Sequence, residues 1–190
     1  MASDRDPRLL ALLTSCPAVV VEEVAWVGGA MPLRVSAHVT DRRPPDDLIT
    51  SVRCIVLAEG KVVVCRDPDQ LHVIPGGRRE SGESLAQTAA REVHEETGWQ
   101  VDPGALTQLG FLHLQHLAPK PEGYAYPYPD FTQLVFGGRT VGRAVDADAA
   151  WSDTDGYVVG CQLMDPVEAL ALDLEATQIA FLRSALASLS

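Results

Sequence analysis

The chain has 190 residues, 46% of them hydrophobic and 22% charged, the balance of a globular domain with enough apolar side chains to bury a core. Its 15 Lys and Arg stand against 26 Asp and Glu, a formal charge of −11, which works against the phosphate-backbone contacts of a nucleic-acid polymer as partner. No apolar run approaches the roughly 20 residues of a membrane span, and LLALL at 9–13 follows the mixed-charge SDRD rather than the basic region of a secretory signal, so a cytoplasmic protein with no membrane partner is expected.

LLALL reads instead as part of a short helix, with Asp6 as N-cap, Pro7 as first residue and Pro17 as stop. AVVVEEVAWV and PLRVSAHVT, separated by GGAM, predict a β-hairpin over about 18–39, and DRRPPDD at 41–47 a polar linker. The chain thus divides into an N-terminal helix and hairpin extension, residues 1–47, and a main domain, 48–190. Three roles are open to the hairpin: a lid on a site, a dimer contact, or an extra pair of packed strands.

From Ile49 the strands ITSVRCIVL, KVVVCRD and LHVI precede a glycine-led loop and a helix. A two-residue turn at Glu59-Gly60 would set Cys54 opposite Cys65. Cys16, Cys54, Cys65 and Cys161 show no C-x-x-C spacing, and buried thiols of a cytosolic protein are expected rather than a bridge.

The helix is delimited by its own residues. Ser84 and Gln87 form a capping-box pair that starts it at Leu85, and Gly98 suits the position after its last turn. On a helical wheel Ala86, Ala89, Ala90 and Val93 make a packing stripe, while Glu92, Glu95 and Glu96 fall within about 100° of arc. Like charges one turn apart cost about 0.2 to 0.5 kcal/mol per pair in water, and a bound cation would reverse that sign. Farther on, LTQLGFLHLQHL and DFTQLVFGGRTV read as strands, DADAAWSDTDG as an acidic segment and YVVGCQL as a short strand. A terminal helix after Pro166 would use Val167, Leu170, Leu174, Ile179, Phe181 and Leu182 as apolar contacts. The sum is a mixed sheet between helices, one α/β or α+β unit.

From Gly77 the sequence runs G, any five, Glu83, any seven, then R-E-V-H-E-E-T-G-W. This resembles the Nudix box, G-x5-E-x7-R-E-U-x-E-E-x-G-U, where U is bulky and apolar. Gly77, Glu83, Arg91, Glu92, Glu95, Glu96 and Gly98 fill its fixed positions, and Val93 and Trp99 its apolar ones. The resemblance implies a Nudix-type α/β/α sandwich with a mixed sheet, to which the N-terminal hairpin is an addition. It implies a pyrophosphohydrolase that uses Mg2+ or Mn2+ to direct water at the diphosphate of a small nucleoside diphosphate derivative, and it is compatible with a homodimer.

The same resemblance makes Glu92, Glu95, Glu96 and the Gly76 carbonyl metal ligands. Arg91 would orient a neighbouring glutamate, and Glu83 would be structural or an outer metal contact. The general base stays open between Glu92, Glu95 and the loop carboxylates Asp146, Asp148, Asp153 and Asp155, so the catalytic set is Glu92, Glu95 and Arg91. Independently, hard divalent cations favour carboxylate oxygens. The alternative is a nucleotide-binding or sensing module on the same fold without turnover, which loss of a box glutamate would favour; none is lost.

In the loop PKPEGYAYPYPDF, residues 119–131, prolines limit backbone freedom. Tyr124, Tyr126 and Tyr128, beside Phe131, offer flat faces for a base at about 1 to 3 kcal/mol each; covering a sheet edge is the plainer role. His94 projects away from the glutamates. His113 and His116 could line a site, with a structural place the simpler reading. No second motif selects among nucleoside triphosphates, nucleotide sugars, dinucleoside polyphosphates and coenzymes.

Overall fold

Local signals start the first helix as the sequence requires. Asp6 accepts hydrogen bonds from the Arg8 and Leu9 amides and Pro7 opens the turn of α1 (Pro7–Ser15). In the computed structural model, whose described residues are 5–143 and 158–189, β1 (Val20–Trp26) and β2 (Met31–Val39) follow as an antiparallel hairpin. Next come β3 (Ile49–Ala58), β4 (Lys61–Arg66), the two-residue β5 (Leu71–His72), α2 (Leu85–Thr97), β6 (Trp99–Val101), β7 (Thr107–His116) and β8 (Asp130–Arg143). β9 (Gly160–Met164), α3 (Pro166–Leu170) and α4 (Ala176–Leu189) complete the fold.

The sheet runs β1-β2-β7-β8-β3-β4-β5, with β6 beside β8 and β9 beside β4. It is mixed because β3 and β8 are parallel while the other pairs are antiparallel. Alternation along β3 sends its side chains to two cores. Cys54 and Val56 pack with Leu85, Ala89 and Val93 of α2 and Leu12 of α1, whereas Ile55 and Leu57 pack with Phe181, Leu182 and Ala185 of α4. Each fully buried Val, Leu or Phe contributes about 1.5 to 3 kcal/mol. Helices on both faces of one mixed sheet give the expected α/β/α sandwich, and β2 extends that sheet by pairing along β7.

Three expectations are corrected. The terminal helix is two helices, broken between Leu170 and Ala176, and Val167 is 76% exposed rather than buried; after the break α4 lies on the sheet. The strand at LHVI shrinks to Leu71–His72, because the chain beyond it turns into the loop that leads to Gly76. Cys54 and Cys65 are not partners. β3 and β4 pair only at Leu57–Val62 and Ala58–Lys61; beyond these β3 donates from Cys54 to the Pro75 carbonyl, and β4 instead takes β9, so Cys161 stands opposite Cys65 with the sulfurs 3.1 Å apart. All four cysteines are free thiols, and burial pushes that of Cys54 up to about 12.

A part-buried ion pair ties the segment before α1 to the sheet. Arg5 grips Asp130, the first residue of β8, through Nε at 2.8 Å and Nη2 at 2.9 Å, while His113 Nε2 lies 2.7 Å from the same carboxylate. Burial alone would raise the Asp130 carboxyl, but the hydrogen bonds from His113 and Arg5 outweigh it and hold the group below the usual carboxylate range. This contribution is therefore present above that range and is lost as the pH falls through the lowered value. Replacing Asp130 by Asn should destabilise the protein by about 1.5 to 3 kcal/mol, because it removes hydrogen bonds to a charged group, and should flatten the acid limb of a chemical-denaturation series; equal stability of variant and parent at pH 7 would refute the lock. Alkylation in denaturant without reductant should modify all four cysteines, and two missing labels in the mass spectrum would reveal a bridge instead.

Candidate active site

The loop before α2 is shaped by close approach. Val52 donates to the Gly77 carbonyl and Cys54 to the Pro75 carbonyl, both at 2.9 Å, which presses the loop against β3. Gly76 has φ +149°, and any Cβ there would collide with the Val52 carbonyl. At Gly77 a Cβ would meet Glu92 Oε1 at 2.5 Å. One glycine lets the loop lie on the strand; the next makes room for the carboxylate.

α2 presents that carboxylate in a fixed frame. Ser84 and Gln87 form the reciprocal capping box, and Gly98, at φ +70°, closes the helix in the left-handed region. Ala89 and Val93 are fully buried on the sheet side, which turns Glu92, Glu95 and Glu96 toward a cleft. Arg91 binds three of the box glutamates: Nε donates to Glu83 Oε1 at 2.8 Å, and Nη1 to Glu92 Oε1 at 2.9 Å and Glu95 Oε2 at 2.7 Å. Its Nη2 donates to the Arg78 carbonyl at 2.9 Å. Glu83 also accepts from Thr88 Oγ1 and the Glu80 amide, and the Arg91 hydrogen bond holds its carboxyl at about 2. Burial pushes Glu92 the other way, above the usual glutamate value, against the pull of Arg91. Glu96 Oε2 accepts from the Gly76 amide at 3.0 Å, joining helix end to loop.

These groups border a cleft of about 870 Å3, within the range of small-molecule sites. Arg53, which the sequence reading did not single out, stands on its floor. It is half-buried, donates from Nη1 to the Gly76 carbonyl, and from Nε to Gln133 Oε1 at 3.3 Å. Both acceptors are neutral, so neither offsets its charge. Burial lowers the guanidinium's pKa, and the fields of Glu96 and then Glu92 oppose that shift. The available signal was a single cation inside the strand run SVRCIVL. Trp26 and Val24 of β1 and Val35 of β2 also line the cleft.

The tyrosines form a cluster apart from these lining residues. Tyr124 Oη is 2.9 Å from His116 Nε2, Tyr128 donates to the Ala118 carbonyl at 3.0 Å, and the Tyr126 ring carries the Arg78 guanidinium 4.7 Å from its centre. Arg78 is itself a lining residue, so Tyr126 meets the cleft through it. His113 and His116 are buried in the Asp130 and tyrosine contacts, and His94 is exposed. Asp146, Asp148, Asp153 and Asp155 lie outside the described residues.

As placed, no group of three His, Cys, Asp or Glu side chains among the described residues is arranged to hold a metal ion; Arg91 occupies oxygens of Glu92 and Glu95, the Gly76 amide one of Glu96, and Arg53 the Gly76 carbonyl. The donor chemistry nevertheless fits a hard divalent cation, since these carboxylates and the Gly76 carbonyl supply only oxygen, and Gly77 leaves open the space that a side chain would take beside Glu92. No helix among the described residues is long and apolar enough to cross a membrane.

Comparison with known proteins places this geometry in a family. The family model described as the NUDIX domain matches residues 47–185. YjhB of Bacillus subtilis (strain 168), provisionally named an ADP-ribose pyrophosphatase, is 32% identical over 74 residues, a match spanning 38% of this chain and only 36% of that protein. The crystal structure of a mutant of the Bacillus subtilis pyrophosphohydrolase BsRppH superposes with TM-score 0.51 at 21% identity, over 76% of this chain and 77% of that one. The MutT protein of Bacillus halodurans gives TM-score 0.51 at 23% identity, over 73% and 82% of the two chains. With most of its length matched by the family model and the fold shared with both solved structures, the chain belongs to the NUDIX hydrolase family.

Proposed function

We propose that the protein is a pyrophosphohydrolase of the cytoplasm, dependent on Mg2+ or Mn2+, that cleaves the diphosphate linkage of a nucleoside diphosphate derivative by attack of water at phosphorus. The observation that carries this reading is the convergence of Glu92, Glu95, Glu96, Gly76 and Arg53 on one cleft. The provisional name of YjhB, an enzyme of ADP-ribose, supports the substrate class.

An acidic protein that takes a polyanion needs positive charge at the point of contact. Arg53 supplies part of it: its neutral partners leave charge to spend on a phosphate oxygen, with the planar donor geometry that phosphate favours. A divalent cation held by Glu92, Glu95, Glu96 and the Gly76 carbonyl would supply the rest, withdrawing charge from phosphoryl oxygens and acidifying a water. Arg91 keeps the carboxylates aligned on the cleft edge, and Glu83, itself locked by Thr88 and the Glu80 amide, keeps Arg91 in place. Glu92 and Glu95, which border the cleft, are the described carboxylates placed to accept a proton from water. Tyr126 would act at the cleft rim by setting Arg78, with Tyr124 and Tyr128 holding the loop.

Replacing Glu95 or Glu96 by Gln keeps shape and removes charge. Both variants should fold, yet lose more activity than the roughly 10- to 100-fold typical of changes around a metal's ligands. Near-normal turnover by both at saturating Mg2+, across nucleotide sugars, dinucleoside polyphosphates and nucleoside triphosphates, would refute the proposal. Substituting Arg53 by Ala should lower kcat/KM by about 10- to 150-fold, the value of a hydrogen bond to a charged group; unchanged steady-state kinetics would remove Arg53 from the phosphate site.

A further inference from the structure

The cleft floor changes character along its length. At one end stand Arg53 on β3 and Gln133 on β8; then come Leu112 and Leu114 of β7, Val35 of β2, and Val24 and Trp26 of β1. Register joins these residues strand to strand, Gln133 opposite Leu112 and Leu114 opposite Val35. From β3 to β1 the sheet takes four steps of about 4.8 Å, roughly 19 Å along its surface. A diphosphate needs only the charged end. The far end is apolar and finishes on an indole ring.

That far end belongs to the hairpin, which precedes the segment matched by the family model. Along β1 exposure alternates, with Val20, Glu22, Val24 and Trp26 on the shielded side. The hairpin is also fixed: β2 pairs with β7 from Leu33 to Val39, and Glu22 Oε1 accepts from Thr177 Oγ1 at 2.6 Å and from the Thr177 amide at 3.2 Å at the start of α4. A strand pair held on both sides makes a wall, not a lid.

We infer that Trp26 is the stacking platform for the flat aromatic base of the substrate, and that the hairpin thereby sets specificity for nucleoside-bearing diphosphates. This rests on the function proposed above and adds to it the element that recognises the part of the substrate remote from the diphosphate. The indole is half-buried at the edge of the core and open to the cleft. A base stacked on an aromatic ring gains enough to change affinity by about 5- to 150-fold.

The test compares two nonhydrolysable probes by calorimetry with Mg2+ present: α,β-methylene-ADP, which carries the base, and methylenediphosphonate, which lacks it. Trp26→Leu keeps an apolar side chain without the ring, and Trp26→Phe keeps a ring. The Leu variant should bind α,β-methylene-ADP about 5- to 150-fold more weakly than wild type and methylenediphosphonate equally well, while the Phe variant retains most of the affinity. Equal binding of α,β-methylene-ADP by the Leu variant and wild type would overturn the inference, as would equal losses for both probes or failure of wild type to prefer the probe with the base. Hydrolysis by wild type is scored separately. Base-dependent loss in the Leu variant without any turnover by wild type would refute the hydrolase and leave the Trp26 subsite standing.

Discussion

Three carboxylates on one helical face repel one another, and the surroundings of α2 are organised around that repulsion. Arg91 answers it from within the helix, bonding Glu92 and Glu95 through one nitrogen while Glu83 fixes the guanidinium from the side. The Gly76 amide answers it at Glu96. Arg91 is shared among Glu83, Glu92 and Glu95, and Arg53 on the cleft floor adds its field at Glu96 and Glu92. On the function proposed above, a hard cation taken up by these oxygens would relieve the repulsion that these contacts share out.

The sheet converts this local charge problem into a site. Alternation along β3 buries Ile55 and Leu57 under α4, and the same parity puts Arg53 on the cleft side, just where the strand passes under Gly76. α4 in turn closes the floor: Gln178 accepts from the Val73 amide at 3.1 Å and Thr177 holds Glu22. The N-terminal hairpin is thus coupled through α4 to the segment that carries Gly76. Packing of the apolar core and placement of the charged groups are the same event.

What could be read from the chain beforehand follows the range of the forces involved. The α2 limits, its buried Ala89 and Val93 and its glutamate arc depend on residues within a few positions of one another, and Ser84, Gly98, Ala89 and Val93 behave as their spacing requires. Partner choice between strands does not. Cys54 faced Cys65 on the hairpin pattern, but β4 found β9, whose Cys161 lies 96 residues beyond Cys65, and the loop at Pro75 took the place beside β3. Likewise the apolar spacing after Pro166 does not show the break between Leu170 and Ala176 or the exposure of Val167. Arg53 and Trp26 each sit in apolar runs that read as core, and only the assembled sheet shows that both end on one cleft.

The central claim is that the glutamate face of α2 exists to hold a divalent cation, and titration of the purified protein with Mn2+, followed by the electron paramagnetic resonance of the free ion, tests it most directly. The account predicts that free-ion signal is lost as the protein takes up Mn2+, that it returns when Mg2+ competes, and that the same titration of a folded Glu92→Gln variant shows weakened uptake. A free-ion signal that tracks added Mn2+ as it does in buffer, with the wild-type protein folded, would contradict it.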